Sequence, residues 1–92
     1  MNMKIKILQA NISTPYKFLS YKTAQRENFS LLDYDCVFDG EVDVNSLDDI
    51  FAIFNTDERP NPMTMHSLSV SDLVVTKDGT FYCDNFGWKK IL

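Results

Sequence analysis

The stretch "DYDCVFDGEVDV", residues 33 to 44, constrains the fold more than any other part of the chain. Acids stand at Asp33, Asp35, Asp39, Glu41 and Asp43, and Tyr34, Cys36, Phe38, Val42 and Val44 fall between or beside them. A period of two belongs to an extended strand with one wet face, because successive side chains leave a strand on opposite sides. Val37 is the one residue out of phase, and Gly40 is the expected place for a bulge. The Asp39-Gly40 pair could instead close a two-residue hairpin. Folding back there would set Phe38 against Glu41 and Cys36 against Asp43, mixing apolar and charged groups on each face. One extended segment is therefore expected.

The rest of the chain supplies partners for that strand. "MKIKILQA" alternates from Met3 to Ile7, with Ile5 and Ile7 on the inner side. In "STPYKFLSYKTAQREN", Thr14 can cap a helix whose first position is Pro15, where the missing N–H costs nothing, with Phe18 and Leu19 turned to the core. "NSLDDIFAIFN" is the clearest helix: Asn45 or Ser46 caps it, Asp48 and Asp49 lie in its first turn, and Leu47, Ile50, Phe51 and Phe54 share a face. A loop containing Pro60 and Pro62 follows. "LVVTKDGTFYC" reads as strand, turn at Asp78-Gly79, strand. Leu73, Val75 and Tyr82 would face one way and Val74, Phe81 and Cys83 the other, which suits a central position covered on both sides. "NFGWKKIL" closes with a turn at Gly87 and room for one more short strand.

A chain of 92 residues with 45% apolar content supports one small domain with a packed core. The expected fold is α+β: an antiparallel sheet of about four strands, near residues 4 to 9, 33 to 43, 70 to 77 and 80 to 84, with two helices packed on one face.

Charge narrows the function. The net charge is −4, and residues 33 to 58 hold nine acids without a lysine or arginine. Asp48, Asp49, Asp57 and Glu58 extend the block begun by the strand. Such a surface repels phosphate backbones, so a protein partner with a basic surface is expected rather than nucleic acid. The start "MNMKIKILQA" lacks the long apolar stretch of a signal peptide, and no run reaches membrane-spanning length, so a cytoplasmic protein without a membrane partner is expected.

Catalysis finds little support. Cys36 and Cys83 lie far apart, without metal-ligand or redox spacing, and alternate with aromatics as packing residues do. They are expected to be buried free thiols, with a bridge conceivable only if their strands pair. A thiol nucleophile would need His66, the sole histidine, as its base, and nothing in the spacing favours that. The acids show no calcium-loop spacing and glycine is too scarce for a phosphate loop, so neither metal nor cofactor is expected. "HSLSVSD" crowds His66, Ser67, Ser69, Ser71 and Asp72 before a strand. It is either a polar binding edge or a turn whose side chains bond nearby backbone, anchored by Leu68 and Val70.

Three segments, "FNTDERP", "HSLSVSDLVV" and "DGTFYCDNFGWKKI", resemble the YodL-like family, with its "FN", its "HSLSVSDVVV"-type strand and its "YYCDSFGF"-type ending. Trp88 stands where the family usually has phenylalanine. The likeness covers the second half well and reaches back to residues 34 to 38. It implies a bacterial or mobile-element context, in which small lone domains often block host defence.

Two functions follow. In the first, the acids of residues 33 to 58 form a regular ladder, repeating at about 6.6 Å along the strand, that occupies a basic nucleic-acid-binding surface of a host protein such as a defence nuclease. In the second, the domain is an interaction module using the "HSLSVSD" loop and Trp88 to hold a partner or a second copy.

Overall fold

The computed structural model describes residues 2–56, 59 and 62–92. Among them, five strands form one antiparallel sheet: β1 (Asn2–Ala10), β2 (Tyr34–Asp43), β3 (Leu73–Thr76), β4 (Gly79–Cys83) and β5 (Trp88–Lys90). Their order is β2-β1-β3-β4-β5, which makes β2 and β5 the edges. Helix α1 (Tyr21–Arg26), a 3-10 turn (Leu31–Asp33) and helix α2 (Leu47–Ile53) lie between strands. The α+β class holds, and the closing segment does supply a fifth strand.

The two helices cover opposite faces of the sheet, not one. Neighbouring residues of β3 demonstrate it: Val74 is buried with Ile5, Ile7 and the α2 side of Ile50 and Phe54, while Leu73 is buried with Tyr82, Tyr16 and Ala24 of α1. Because β3 and β4 are apolar on both sides, each side needs its own cover. A single layer of helices would leave one of them in water. Phe54 meets Phe38 edge-on, ring centroids 5.0 Å apart, and burying a side chain of this size contributes about 2–3 kcal/mol.

Local signals fared unevenly. Ser46 caps α2, its Oγ accepting from the Asp49 N–H at 3.1 Å, and Asp49 Oδ2 accepts in return from the Asn45 N–H at 3.0 Å. Phe51, expected inward, is 39% exposed instead. Helix α1 starts at Tyr21, capped by Ser20, and not at Pro15. Residues 14 to 19 form turns, in which the Lys17 N–H bonds the Thr14 carbonyl, the Leu19 N–H bonds the Tyr16 carbonyl, and Phe18 adopts φ +69°. Tyr16 is fully buried and donates from its hydroxyl to Asp33 at 2.8 Å. Tertiary burial of that ring overrides the helix-start signal.

The hairpin between β3 and β4 is as expected, but its two-residue loop is Lys77-Asp78, with Gly79 already opposite Thr76. Gly79 has φ +138°, and a Cβ there would run into the Leu92 carbonyl oxygen and come within 2.8 Å of Lys90 Cε. Alanine at this position should cost on the order of 3 kcal/mol, combining backbone strain with displacement of the segment after β5. A urea titration of Gly79→Ala checks it; a midpoint equal to the parent's would refute the steric account.

Candidate functional site

The acids of β2 do not share one face. Ile7 lies opposite Phe38 and Leu8 opposite Cys36, so Val37 is an extra residue and the bulge falls there, not at Gly40. One added residue reverses the phase on either side of it. Asp35, opposite Gln9, projects to the α2 face, and Asp39, Glu41 and Asp43 to the other. Tyr34 accordingly joins the cluster of Tyr16 and Tyr82, whereas Val37, Phe38 and Val42 pack toward α2. Asp33 precedes the strand, accepting the Tyr16 hydroxyl. Burial, opposed by the Ser30 N–H that donates to the phenol oxygen and aided by Asp33, pushes the Tyr16 phenol up to about 12.

Nor is the remaining trio bare. Lys6 stands in register with Asp39, and Lys4 with Glu41. Directly opposed charges of opposite sign attract across strands. The expected straight, single-sign ladder is thus replaced by a row of mixed sign. Asp48 and Asp49 sit in the first turn of α2, the first near Trp88 and the second in the cap. Asp57 and Glu58 lie outside the described residues.

The "HSLSVSD" segment is locked to β1 by a buried polar cluster. Gln9 is 4% exposed, and its amide nitrogen donates to the His66 carbonyl at 2.9 Å and to Asp72 Oδ2 at 3.0 Å. Its oxygen accepts from the His66 N–H at 3.2 Å. Ser69 adds its own N–H to Asp72 Oδ2 at 2.8 Å and its hydroxyl to the Ser67 carbonyl at 2.7 Å. Ser71 takes φ +87° with no exposure, held because its Oγ accepts the Phe18 N–H at 2.8 Å and its carbonyl accepts the Tyr34 hydroxyl at 2.6 Å. With Leu68 buried beneath it, the segment behaves as the self-bonded turn.

The protonation of this cluster can be read from its contacts. His66 Nδ1 lies 2.6 Å from the Ser67 carbonyl oxygen, which assigns the ring proton to Nδ1. Nε2 then accepts from the Lys17 ammonium at 3.1 Å. Lys17 also donates to the Ala10 carbonyl and stands 4.9 Å above the Phe18 ring. Burial, reinforced by Lys17 and Arg59, holds the imidazole below its ordinary range, against the Ser67 hydrogen bond. Asp72 Oδ1, 3.8 Å from Nε2, therefore faces a neutral ring and not an ion pair. That oxygen is buried and has no hydrogen-bond partner among the described residues. Burial pushes the Asp72 carboxyl up to about 7, although the Ser69 N–H, the Gln9 amide and Lys17 pull it down.

Cys83 joins the cluster through its backbone alone, its carbonyl accepting the Ser71 N–H and its N–H donating to the Asp72 carbonyl, and the strands of Cys36 and Cys83 are not neighbours in the sheet. Cys83 is buried, and that burial pushes its thiol up to about 12, with Asp72 and Asp84 adding to the effect. Cys36, expected inside, is exposed, because the bulge puts it opposite Leu8 at the outer strand. Under native conditions an aromatic disulfide reagent should label one thiol at once and the second only on unfolding. Rapid labelling of both would contradict the burial of Cys83.

Trp88 belongs to a different feature. A cavity of about 220 Å³ opens between α2 and β5, lined by Asp48, Phe51, Asp84 and Trp88 together with Val70 and Cys83. Phe51 and Trp88 meet edge to face at 6.4 Å, and the indole N–H points to Asp48 Oδ1 at 3.4 Å. Asp84 Oδ1 accepts the N–H groups of Tyr21 at 3.2 Å and Asn85 at 2.9 Å.

Sequence reasoning missed Gln9, Lys17 and Asp84. Gln9 was signalled by a polar residue at the buried phase of a strand after Ile5 and Ile7; Lys17 carried no local sign. Among the described residues no group of three or more metal-ligating side chains assembles, and no helix is long and apolar enough to cross a membrane.

Fold and site together define a small antiparallel α+β domain built round a buried polar staple. The chain belongs to the YodL-like domain family, whose model matches residues 2–92. The match extends over the first half, where the sequence motifs were sparse. No curated protein and no solved structure gives a significant match.

Proposed function

We propose that this domain is a non-enzymatic binding protein that engages a basic surface of a protein partner along strand β2. The observation that carries the reading is the order of charge at the sheet's end. β2 is the outermost strand, and Asp39, Glu41 and Asp43 stand on one of its faces, with Lys4 and Lys6 one strand further in. A partner approaching the edge meets carboxylates first. An edge strand also presents unpaired backbone groups, and its like charges repel a second copy of itself while admitting a basic segment.

The polar cluster supports the same reading, since His66, Lys17 and Gln9 direct their groups to one another and to backbone carbonyls. Blocking a host defence nuclease, by covering its nucleic-acid-binding surface, is one use of such a domain. The bulge and the cross-strand lysines mean that this use would rest on the trio and not on a five-carboxylate imitation of a phosphate backbone.

The test is capture from a bacterial lysate by the parent protein and by Asp39→Asn/Glu41→Gln. Amides are preferred because lysine at either position would oppose Lys6 or Lys4. The parent should retain a protein that about 1 M salt releases, where the screening length falls to about 3 Å. The variant should lose that protein while its stability changes by only about 1–2 kcal/mol, the worth of two cross-strand pairs. Equal capture by both proteins would remove the reading.

A further inference from the structure

We propose that the sheet takes up an extended segment of the protein partner as a sixth strand, antiparallel to β2 and carrying basic residues at alternate positions. This rests on the reading of β2 as the binding edge and adds how the partner lies on it. The pairing pattern fixes which backbone groups are available. In an antiparallel sheet the N–H and C=O of one residue point to the same neighbouring strand, and those of the next residue to the other. The Cys83 N–H bonds the Asp72 carbonyl, so Asp72 and, in step with it, Val74 and Thr76 face β4, while Leu73 and Val75 face β1. Leu8 and Lys6, opposite Leu73 and Val75, therefore face β3, which leaves Ile7 and Ile5 to face β2. Their partners Phe38 and Gly40 face inward, and Asp39 and Glu41 turn their backbone groups out of the sheet. Among the described residues those groups have no hydrogen-bond partner.

Side chains select the composition of the segment. Residues directly opposite on antiparallel strands share a face, so residues paired with Glu41 and Asp39, two apart in the added strand, stand beside both carboxylates on the side away from Lys4 and Lys6. Lysine or arginine is attracted there and acid repelled. The residue between them lies opposite Gly40 on the α2 face, where Phe38 Cζ comes within 3.1 Å of the place of a Gly40 Cβ. That ring and Val42 are half-buried and offer apolar surface to it and its neighbours. A second copy of this chain fits poorly. β2 against itself, centred on Glu41, sets Asp39 opposite Asp43. The other edge, β5, carries Lys89 and Lys90 on adjacent positions and hence on opposite faces, so only one of them could reach the carboxylates.

The experiment titrates the isotope-labelled protein with acetyl-Val-Lys-Val-Lys-Val-amide and follows its backbone amides by NMR. The Asp39 and Glu41 signals should move downfield, and at saturation their exchange with solvent should slow at least tenfold, while Gly40, already facing β1, keeps its rate. Controls separate strand addition from charge attraction. Acetyl-Val-Lys-Lys-Val-Val-amide, of the same composition, should bind at least fivefold more weakly. N-methylation of both lysines removes the N–H groups that would bond the Glu41 and Asp39 carbonyls and should weaken binding at least tenfold; N-methylation of the central valine, whose N–H faces away, should change it less than twofold. Asp39→Asn/Glu41→Gln should weaken the parent peptide at least fivefold with an unchanged circular dichroism spectrum. No shift at Asp39 and Glu41, equal binding of the two N-methylated forms or of the two residue orders, or undiminished binding by the variant overturns the inference. If lysate capture still depends on Asp39 and Glu41 in that event, β2 stays the binding edge and the partner meets it by side chains alone. Concentration-dependent broadening of the two amides in the protein by itself overturns the inference in favour of a second copy. Conversely, the expected peptide results with equal lysate capture by parent and variant would retain strand addition and remove the charge-dependent capture.

Discussion

Gln9→Met should lose about 4 kcal/mol of stability while keeping nearly the same side-chain volume. Three buried hydrogen bonds vanish together: two donated by the amide, to the His66 carbonyl and Asp72 Oδ2, and one accepted from the His66 N–H. Leaving a buried polar group without its partner costs about 1–3 kcal/mol each, and here the groups sit where water has no easy access. Domains of this size are stable by about 5–10 kcal/mol, so the variant should melt about 20 °C lower. Thermal unfolding followed by circular dichroism measures it. Methionine is chosen so that no cavity confuses the result. A loss below about 1 kcal/mol would mean that burial of Met65 and Leu68, and not the polar staple, holds residues 65 to 72 in place.

The second large effect is a dependence on pH that one substitution should remove. Asp72 is fully buried and its carboxyl is pushed up to about 7 from 3.8. Between these values the folded state holds a proton that the unfolded state has released. Stability therefore falls as pH rises from about 4 to 7 and is flat above, a total of about 4 kcal/mol for a shift of this size. His66 acts in the opposite sense, because its lowered value makes the unfolded state take the proton first as pH falls below the ordinary histidine range. Asp72→Asn separates the two. Its oxygen can accept from the Ser69 N–H and the Gln9 amide, and its NH₂ takes the position of the unpartnered Oδ1, facing His66 Nε2. The variant should be nearly as stable as the parent at pH 4.5 and more stable by up to about 4 kcal/mol at pH 8. Urea unfolding across that range decides it: parallel curves for parent and variant would show that Asp72 is charged in the fold at little cost.

Much of the site was legible and some was not, for reasons that differ by residue. The "HSLSVSD" motif was visible because polar residues crowd before an apolar strand. Its role as a self-bonded turn could be weighed, but its lock to β1 could not, since Gln9 is 57 residues from His66. The helix at Asn45 to Phe54 was plain from its cap and period, yet whether Phe51 faced core or solvent depended on where β5 ran. The sign of the acidic block was certain from composition. Its spatial form was not, because a lone out-of-phase Val37 fits a local exception and a bulge equally well, two adjacent apolar residues in an alternating strand being also the mark of a bulge.

Local chemistry therefore determined the strands, the β3–β4 turn, the Ser46 cap and the doubly apolar centre of the sheet, because each depends on residues within a few positions of one another. Tertiary structure alone decided which strands pair, that the helices take opposite faces, and that Lys4 and Lys6 meet Glu41 and Asp39. These are properties of register and sidedness. A one-residue slip reverses a strand's faces without altering its local pattern, so only the energy of the assembled core can choose between them.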